Sequence, residues 1–112
     1  MSNLQEKIAK IGIIDLGWTK FRIRFVDNLP CDRQGNKTFG ECDFDSYEIR
    51  IIKKLDNNFL KEVFIHEITH ALQETVGLGE DVCKLNEESR CVQTSRGLLL
   101  LFNLNPKLKT IL

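Results

Sequence analysis

The chain has 112 residues, and its 16 basic and 16 acidic side chains give a formal net charge of zero. This length is typical of one domain, so we interpret residues 1–112 as a single unit. A net charge of zero gives no excess of basic side chains to attract nucleic acids or anionic membranes, which argues against both as main partners. The N-terminus lacks the apolar core of a signal peptide, and the apolar run at 98–102 is too short to span a bilayer. We therefore expect a cytoplasmic protein.

Strand patterns dominate the first half of the chain. Residues 11–20 hold a first short strand or a turn, and residues 21–25 (FRIRF) alternate apolar and charged side chains, as a half-buried strand does. A turn-rich stretch follows, with one short strand around residues 38–41. Residues 47–51 (YEIRI) alternate again and predict the last strand.

The first long helical pattern carries both histidines of the chain. We predict its N-cap at Asn57 or Asn58, and its apolar residues recur up to Leu72, before Gly77 and Gly79 end the pattern. Because the pattern is apolar around most of the helix circumference, we expect this helix to be buried between other layers.

A second helix is predicted from Asn86 or Glu87 to about Asn103, because Pro106 stops it soon afterwards. Strands followed by helices indicate the α+β class. We expect a small, mostly antiparallel sheet packed against the histidine-bearing helix and against the second, C-terminal helix.

The segment VFIHEITHALQE contains the pattern His66-Glu67-x-x-His70. Residues four apart on a helix project from the same face, so both imidazoles can reach one zinc ion. Glu67 lies about 100° around the helix from His66, which directs its carboxylate beside the metal. There it can accept a proton from a water that the metal activates. The pattern arises by chance in roughly one shuffled chain in 700, which favours a metal site.

A catalytic zinc site needs a third protein ligand, and the chain has no third histidine. The second helix region offers Glu87, Glu88, Cys83 and Cys91. At 100° per residue, Glu88 lies near the middle of a predicted inward stripe, and Glu87 lies well off its centre. A carboxylate on a buried helix face needs a partner, which zinc provides. We therefore predict Glu88 as the ligand, with Glu87 in reserve. The stripe consists of Cys91, Val92, Ser95, Leu99 and Phe102.

These features resemble a known family. HEITHALQE, followed 18 residues after His70 by Glu88 and then by GLLLLFNLNP, is similar to the minimal gluzincin-type metallopeptidase domain. Small phage and bacterial proteins of this kind are related to the IrrE/ImmA-like and SprT-like zincins. The upstream FGECDFDSYEIRI is similar to the strand segment that precedes the active-site helix there. The resemblance spans roughly residues 20–106.

The resemblance implies a zinc-dependent endopeptidase that binds one zinc ion per chain through His66, His70 and Glu88, with Glu67 as general base. It also implies that a peptide or protein substrate docks along an edge strand at residues 47–52, which begin with Tyr47 and end with Ile52.

The sequence indicates the residue that would stabilise the oxyanion of the reaction less clearly than it indicates the zinc ligands and the base. Larger zincins supply a histidine, tyrosine or arginine, and Tyr47 is the only tyrosine of this chain. Arg90 and Arg96 of the second helix are further candidates, although each is more often a solvated helix residue. A strand tyrosine that packs with its hydroxyl at the rim is the alternative interpretation of Tyr47.

Two other functions compete with the peptidase. A zinc-stabilised protein-binding module would use the same ligands without turnover, with a fourth protein ligand such as Cys91 or Cys83 closing the site. A metal-free core helix with incidental histidines would bind no zinc.

Overall fold

In the computed structural model, residues 4–77 and 87–111 are described, the side chains of residues 87–89 excepted. Among these residues, one helix precedes four consecutive strands, and only helices follow the strands. In chain order, the elements are α1 (Leu4–Ile11), β1 (Ile13–Asp15), β2 (Lys20–Val26), β3 (Gly40–Asp43), β4 (Glu48–Ile52), α2 (Asn57–Thr75), α3 (Glu87–Leu104) and a C-terminal 3₁₀ helix (Pro106–Thr110).

The four strands form one mixed sheet in the order β1-β2-β4-β3. β1 pairs antiparallel with β2, and β3 pairs antiparallel with β4, whereas β2 and β4 run parallel in the middle. The predicted α+β class is confirmed, with a sheet that is mixed because its central pair is parallel. As a consequence, β4 lies between two neighbours and β3 forms an edge.

One face of the sheet is apolar, because the strand residues alternate. Phe21 and Ile23 of β2 are buried, and so are Ile49 and Ile51 of β4. The intervening Arg22 and its neighbours at every second position are exposed. The apolar face therefore has to be covered by helices, and α1 and α2 contact the strands.

The opposite face of the sheet carries a charged network around Arg50 of β4. The Arg50 guanidinium donates to Glu41 at 2.6 Å and to Asp43 at 3.0 Å, both on β3, and to Glu48 at 3.0 Å on its own strand. These partly exposed pairs connect the edge strand to its neighbour on the side away from the helices. Arg50 thereby helps hold β3 in place.

The N-cap of helix α2 lies one residue before the first of the two predicted caps, Asn57 and Asn58. Asp56 is the N-cap, and its carboxylate accepts a hydrogen bond from the Phe59 amide at 3.1 Å. The helix packs on the sheet through one face only, whereas Ile65 is 44% exposed. The prediction of burial on most sides is wrong, since no second layer covers the outer face among the described residues.

Helix α3 packs against the C-terminal part of α2 at Gly97. A Cβ at Gly97 would lie 3.0 Å from Leu72 Cδ2 and 3.3 Å from Val76 Cγ1, so the absence of a side chain sets the closest approach. Leu101 is buried on the same side, whereas Leu99 is 64% exposed. The predicted inward stripe is therefore wrong: its members Cys91, Val92, Ser95 and Leu99 are exposed, and Phe102 is half-buried.

The ends of the chain complete the core. Helix α1, which the sequence analysis did not predict, buries Ile8 completely. Asn105, after α3, accepts a hydrogen bond from the Asp15 amide at 2.8 Å and donates to the Asp15 carbonyl at 2.6 Å, which joins the end of α3 to β1. Over the described ranges, none of the helices has the length and apolarity needed to cross a membrane.

Candidate metal centre

The two histidines of α2 face each other on the exposed side of the helix. His66 Nε2 and His70 Nε2 lie 3.1 Å apart, and the ring centroids are separated by 4.7 Å. The four-residue spacing places the rings one helical turn apart, so their Nε2 atoms converge on one point in solvent. The motif geometry predicted from the sequence is therefore present in α2.

The separation of these nitrogens fits a shared zinc ion. Two nitrogens at about 2.0–2.1 Å from a tetrahedral metal lie about 3.3 Å apart. The observed 3.1 Å between the Nε2 atoms is within a few tenths of an ångström of that value, and it is also the length of a hydrogen bond between the two rings. Burial lowers the pKa of His70, and the nearby His66 lowers it further. Both effects favour the neutral imidazole, which is the form that binds metals.

Glu67 is buried directly beside the histidine pair. Its side chain is 5% exposed, although its neighbours His66 and His70 are exposed. Burial raises the pKa of the Glu67 carboxyl, His66 opposes this shift, and Glu41 adds to it. A carboxylate whose proton affinity is raised in this way is better suited to accept a proton near neutral pH than an exposed glutamate.

The edge strand β3 covers Glu67 through a glycine. A Cβ at Gly40 would lie 2.7 Å from Val63 Cγ1 and 3.1 Å from both Cγ and Oε2 of Glu67. Only glycine permits this approach of the strand backbone to α2 without a shift. Gly40 does not stand out in the sequence, because one glycine in a turn-rich segment carries no distinctive pattern. The small residues at positions 40 and 42, on one face of the strand, were the available signal.

The prediction that residues 47–52 form the docking edge is wrong. Residues 47–52, the expected docking edge, include β4, and both sides of β4 are paired within the sheet. The edge beside the histidines is β3, which contacts α2. The central parallel pairing of β2 with β4, which local patterns do not reveal, causes this difference.

Cys42 follows Gly40 on the same face of β3. It packs against the core and is a free thiol. Burial raises the pKa of this thiol to about 12, and the carboxylates of Glu67, Asp43 and Glu74 add to the shift. Cys42 is therefore a protonated small residue between β3 and α2 at neutral pH.

A small pocket opens beside the histidine pair, between the start of α2 and the start of β3. It has a volume of about 260 Å³. Its lining combines aromatic, apolar and acidic side chains with the site itself: Phe39, Gly40, Phe59, Glu62, Val63, His66 and Glu67.

A larger groove of about 550 Å³ lies elsewhere, between Trp18 and helix α3. Trp18 is 71% exposed, and Arg96 is the one charged residue among the described residues of the lining. Over the described part of the chain, the groove contains no histidine or carboxylate, so we do not assign the chemistry to it despite its size.

Most of the side chains predicted as the third zinc ligand lie outside the described residues. The side chains of Glu87 and Glu88, and the whole of Cys83, lie outside the described residues, and Cys91 is exposed on α3. The inward stripe that selected Glu88 is not observed, so Glu88 stays a prediction supported by the resemblance alone. Within the described side chains, no group of three His, Cys, Asp or Glu residues is arranged to hold a metal.

Tyr47, the candidate oxyanion stabiliser, lies in the turn before β4. Its backbone is left-handed, with φ of 57°, so the strand begins one residue later than its sequence pattern suggests. Its ring packs against Phe21, with centroids 5.5 Å apart. Among the described contacts, none joins Tyr47 to the histidines, and Arg90 and Arg96 are exposed.

Comparison of the chain with protein-family models, with curated proteins and with solved structures finds no match. The resemblance to the zincins therefore rests on the sequence motif and stays a prediction.

Proposed function

We propose that the chain is a zinc-dependent peptidase domain in which His66 and His70 bind the metal and Glu67 acts as general base. The observation that carries the proposal is the convergence of the two Nε2 atoms at 3.1 Å beside a buried carboxylate. Bound zinc would supply a Lewis acid that polarises the scissile carbonyl and makes water a stronger acid. Glu88 remains the predicted third ligand.

The roles of the chain's own residues follow from their positions. Glu67 would accept the proton of the attacking water and later donate it to the leaving amine, a task for which its burial and raised pKa suit it. Among the described residues, β3 pairs with β4 alone, so its outer edge would offer backbone groups to which an extended peptide can add as a further strand. Because Gly40 lies against Glu67, a peptide on this edge would pass close to the carboxylate.

A zinc-stabilised peptide-binding module is the second candidate. The exposure of both histidines favours it, because an open site positions a peptide bond less firmly, and positioning is a large part of catalysis. The two functions share the metal site and the docking edge. They differ in turnover alone.

Zinc content and hydrolysis test the proposal together. After identical dialysis, we expect about one zinc per chain in the native protein and in Glu67→Gln, and much less in His66→Ala and Glu88→Ala. Zinc-loaded native protein should cleave a mixture of unstructured peptides, with products detected by mass spectrometry, and Glu67→Gln should not.

Each alternative outcome has a distinct meaning. Zinc binding without cleavage of any peptide would replace the peptidase by the binding module. Retained hydrolysis in Glu67→Gln would overturn the assigned base. Absence of zinc from the native protein, even after incubation with it, would remove the metal site. Zinc retained in Glu88→Ala would reject Glu88 as ligand and leave the histidine pair intact.

A further inference from the structure

The pocket beside the histidine pair, here called the Phe39–Phe59 pocket, has an apolar floor. The rings of Phe39 and Phe59 meet edge to face, with centroids 5.0 Å apart and planes at 82°. Val63, on the next turn of α2, is buried and lines the same space. This floor fits the methylene groups of a long side chain.

The rim of the pocket is acidic. Glu62 lies one helical turn before His66 and is exposed at the rim, and the buried Glu67 also lines the pocket. A negatively charged side chain would approach both carboxylates and be repelled, whereas a cationic one would be attracted. Among the described residues, the lining includes no lysine or arginine, although Lys37 Nζ lies against the Phe39 ring.

One of the two rings, Phe39, already contacts a cation of the same chain. Lys37 Nζ lies 5.2 Å from the centroid of the Phe39 ring, within the range of a cation–π contact. An ammonium group can therefore contact this ring, and Lys37 is not among the described residues that line the pocket itself. The volume of about 260 Å³ exceeds the roughly 150 Å³ that accommodates benzene in a protein cavity, which leaves room for a long side chain.

We propose that the Phe39–Phe59 pocket receives a lysine or arginine side chain of the substrate, next to the scissile bond. The aliphatic part would pack on Phe39, Phe59 and Val63, and the charged end would meet Glu62. The position follows from the lining, since His66 and Glu67 belong to the pocket. This inference deepens the proposed peptidase function and rests on it.

The test uses alanine hexapeptides, labelled with a fluorophore, that differ at one central position. That position holds lysine, norleucine or glutamate, because norleucine keeps the aliphatic stem of lysine and lacks its charge. Zinc-loaded native protein gives kcat/KM for each peptide, and zinc-loaded Glu67→Gln gives binding by fluorescence anisotropy without turnover. We expect lysine to exceed norleucine about three- to fivefold in both measurements, with glutamate the weakest.

Matched variants test whether the preference for lysine over norleucine arises in the pocket. Glu62→Gln removes the rim charge and should bring the lysine-to-norleucine ratio to about one. Glu74→Gln removes the same charge one turn beyond His70, outside the pocket, and should leave the ratio unchanged. Phe59→Ala should weaken lysine and norleucine peptides alike. Higher salt should reduce the native ratio, because exposed ion pairs are screened.

The outcomes separate this inference from the proposed function. Hydrolysis at equal rates for lysine and norleucine, or a preference that survives in Glu62→Gln, would overturn the inference and leave the peptidase standing. Preferential binding of the lysine peptide without hydrolysis would support the pocket and reject catalysis. Peptides that are neither bound nor cleaved would overturn both.

Discussion

Burial of a single carboxyl group distinguishes this site from an ordinary helix surface. Glu67 is 5% exposed between two exposed histidines, and the free-energy cost of keeping a carboxylate there must be met by packing elsewhere. Such perturbed groups concentrate at functional sites, because catalytic acids and bases need shifted pKa values. The raised pKa of Glu67 is therefore part of the functional argument.

The thiol of Cys42 lies in the same buried space between β3 and α2, so its reactivity depends on that burial and can be measured. With a pKa of about 12, little thiolate exists at pH 8, so we expect a maleimide to label Cys42 at least about a hundredfold more slowly than exposed Cys31. Between pH 7 and pH 9 the labelling rate of Cys42 should rise about tenfold per pH unit, because its thiolate fraction does. Timed quenching and peptide mass spectrometry give the rate at each cysteine.

Glu67→Gln is the matched variant for this thiol. It removes one of the negative charges that raise the pKa of Cys42, so the labelling of Cys42 at pH 8 should become severalfold faster. Labelling of Cys42 as fast as that of Cys31 in the native protein would contradict the burial of this thiol against α2.

At the scale of elements, the contact between β3 and α2 positions the candidate site. β3 is short and lies at an edge, yet it is held from both sides. Arg50 connects it to β4 through Glu41 and Asp43, and Gly40 lets its backbone reach α2. The edge that would bind a peptide is thereby fixed relative to Glu67.

Gly40→Ala tests this contact. The added methyl group would lie 2.7 Å from Val63 Cγ1, so we expect the free energy of unfolding in urea to fall by about 2 kcal/mol. Val63→Ala alone also destabilises, because it leaves a cavity. In the double variant the methyl group gains room, and the total loss should be about 1 kcal/mol smaller than the sum. Strictly additive losses would show that Gly40 and Val63 do not meet.

At the scale of the whole molecule, metal binding should be linked to folding. The Nε2 atoms converge only when α2 is formed, so zinc should bind the native state and stabilise it. At a free zinc concentration about 100 times Kd, the gain is about 2.7 kcal/mol. For a domain of this size, it corresponds to a rise in Tm of roughly 10 °C. Calorimetry with and without zinc gives the shift.

His66→Ala is the control for this linkage. His66 is exposed, so its removal should change the Tm of the zinc-free protein little, while the rise on adding zinc disappears. An equal rise in the variant would place the metal elsewhere. No rise in the native protein would favour the metal-free helix.

Local periodicity alone was enough to predict several secondary-structure elements of this protein. The alternation of residues 21–25 is observed as part of β2, and the pattern after Asp56 is observed as α2. The spacing of His66, Glu67 and His70 on one helix also followed directly, since a helical turn needs no information from distant residues.

Only the tertiary structure decided which surfaces these elements bury. The parallel pairing of β2 with β4 made β3 the edge strand, and contact at Gly97 selected a face of α3 that its apolar residues did not indicate. The burial of Glu67 depends on Gly40, which is 27 positions earlier in the chain. Such contacts join residues far apart in sequence, and periodicity within one element carries no information about its partner.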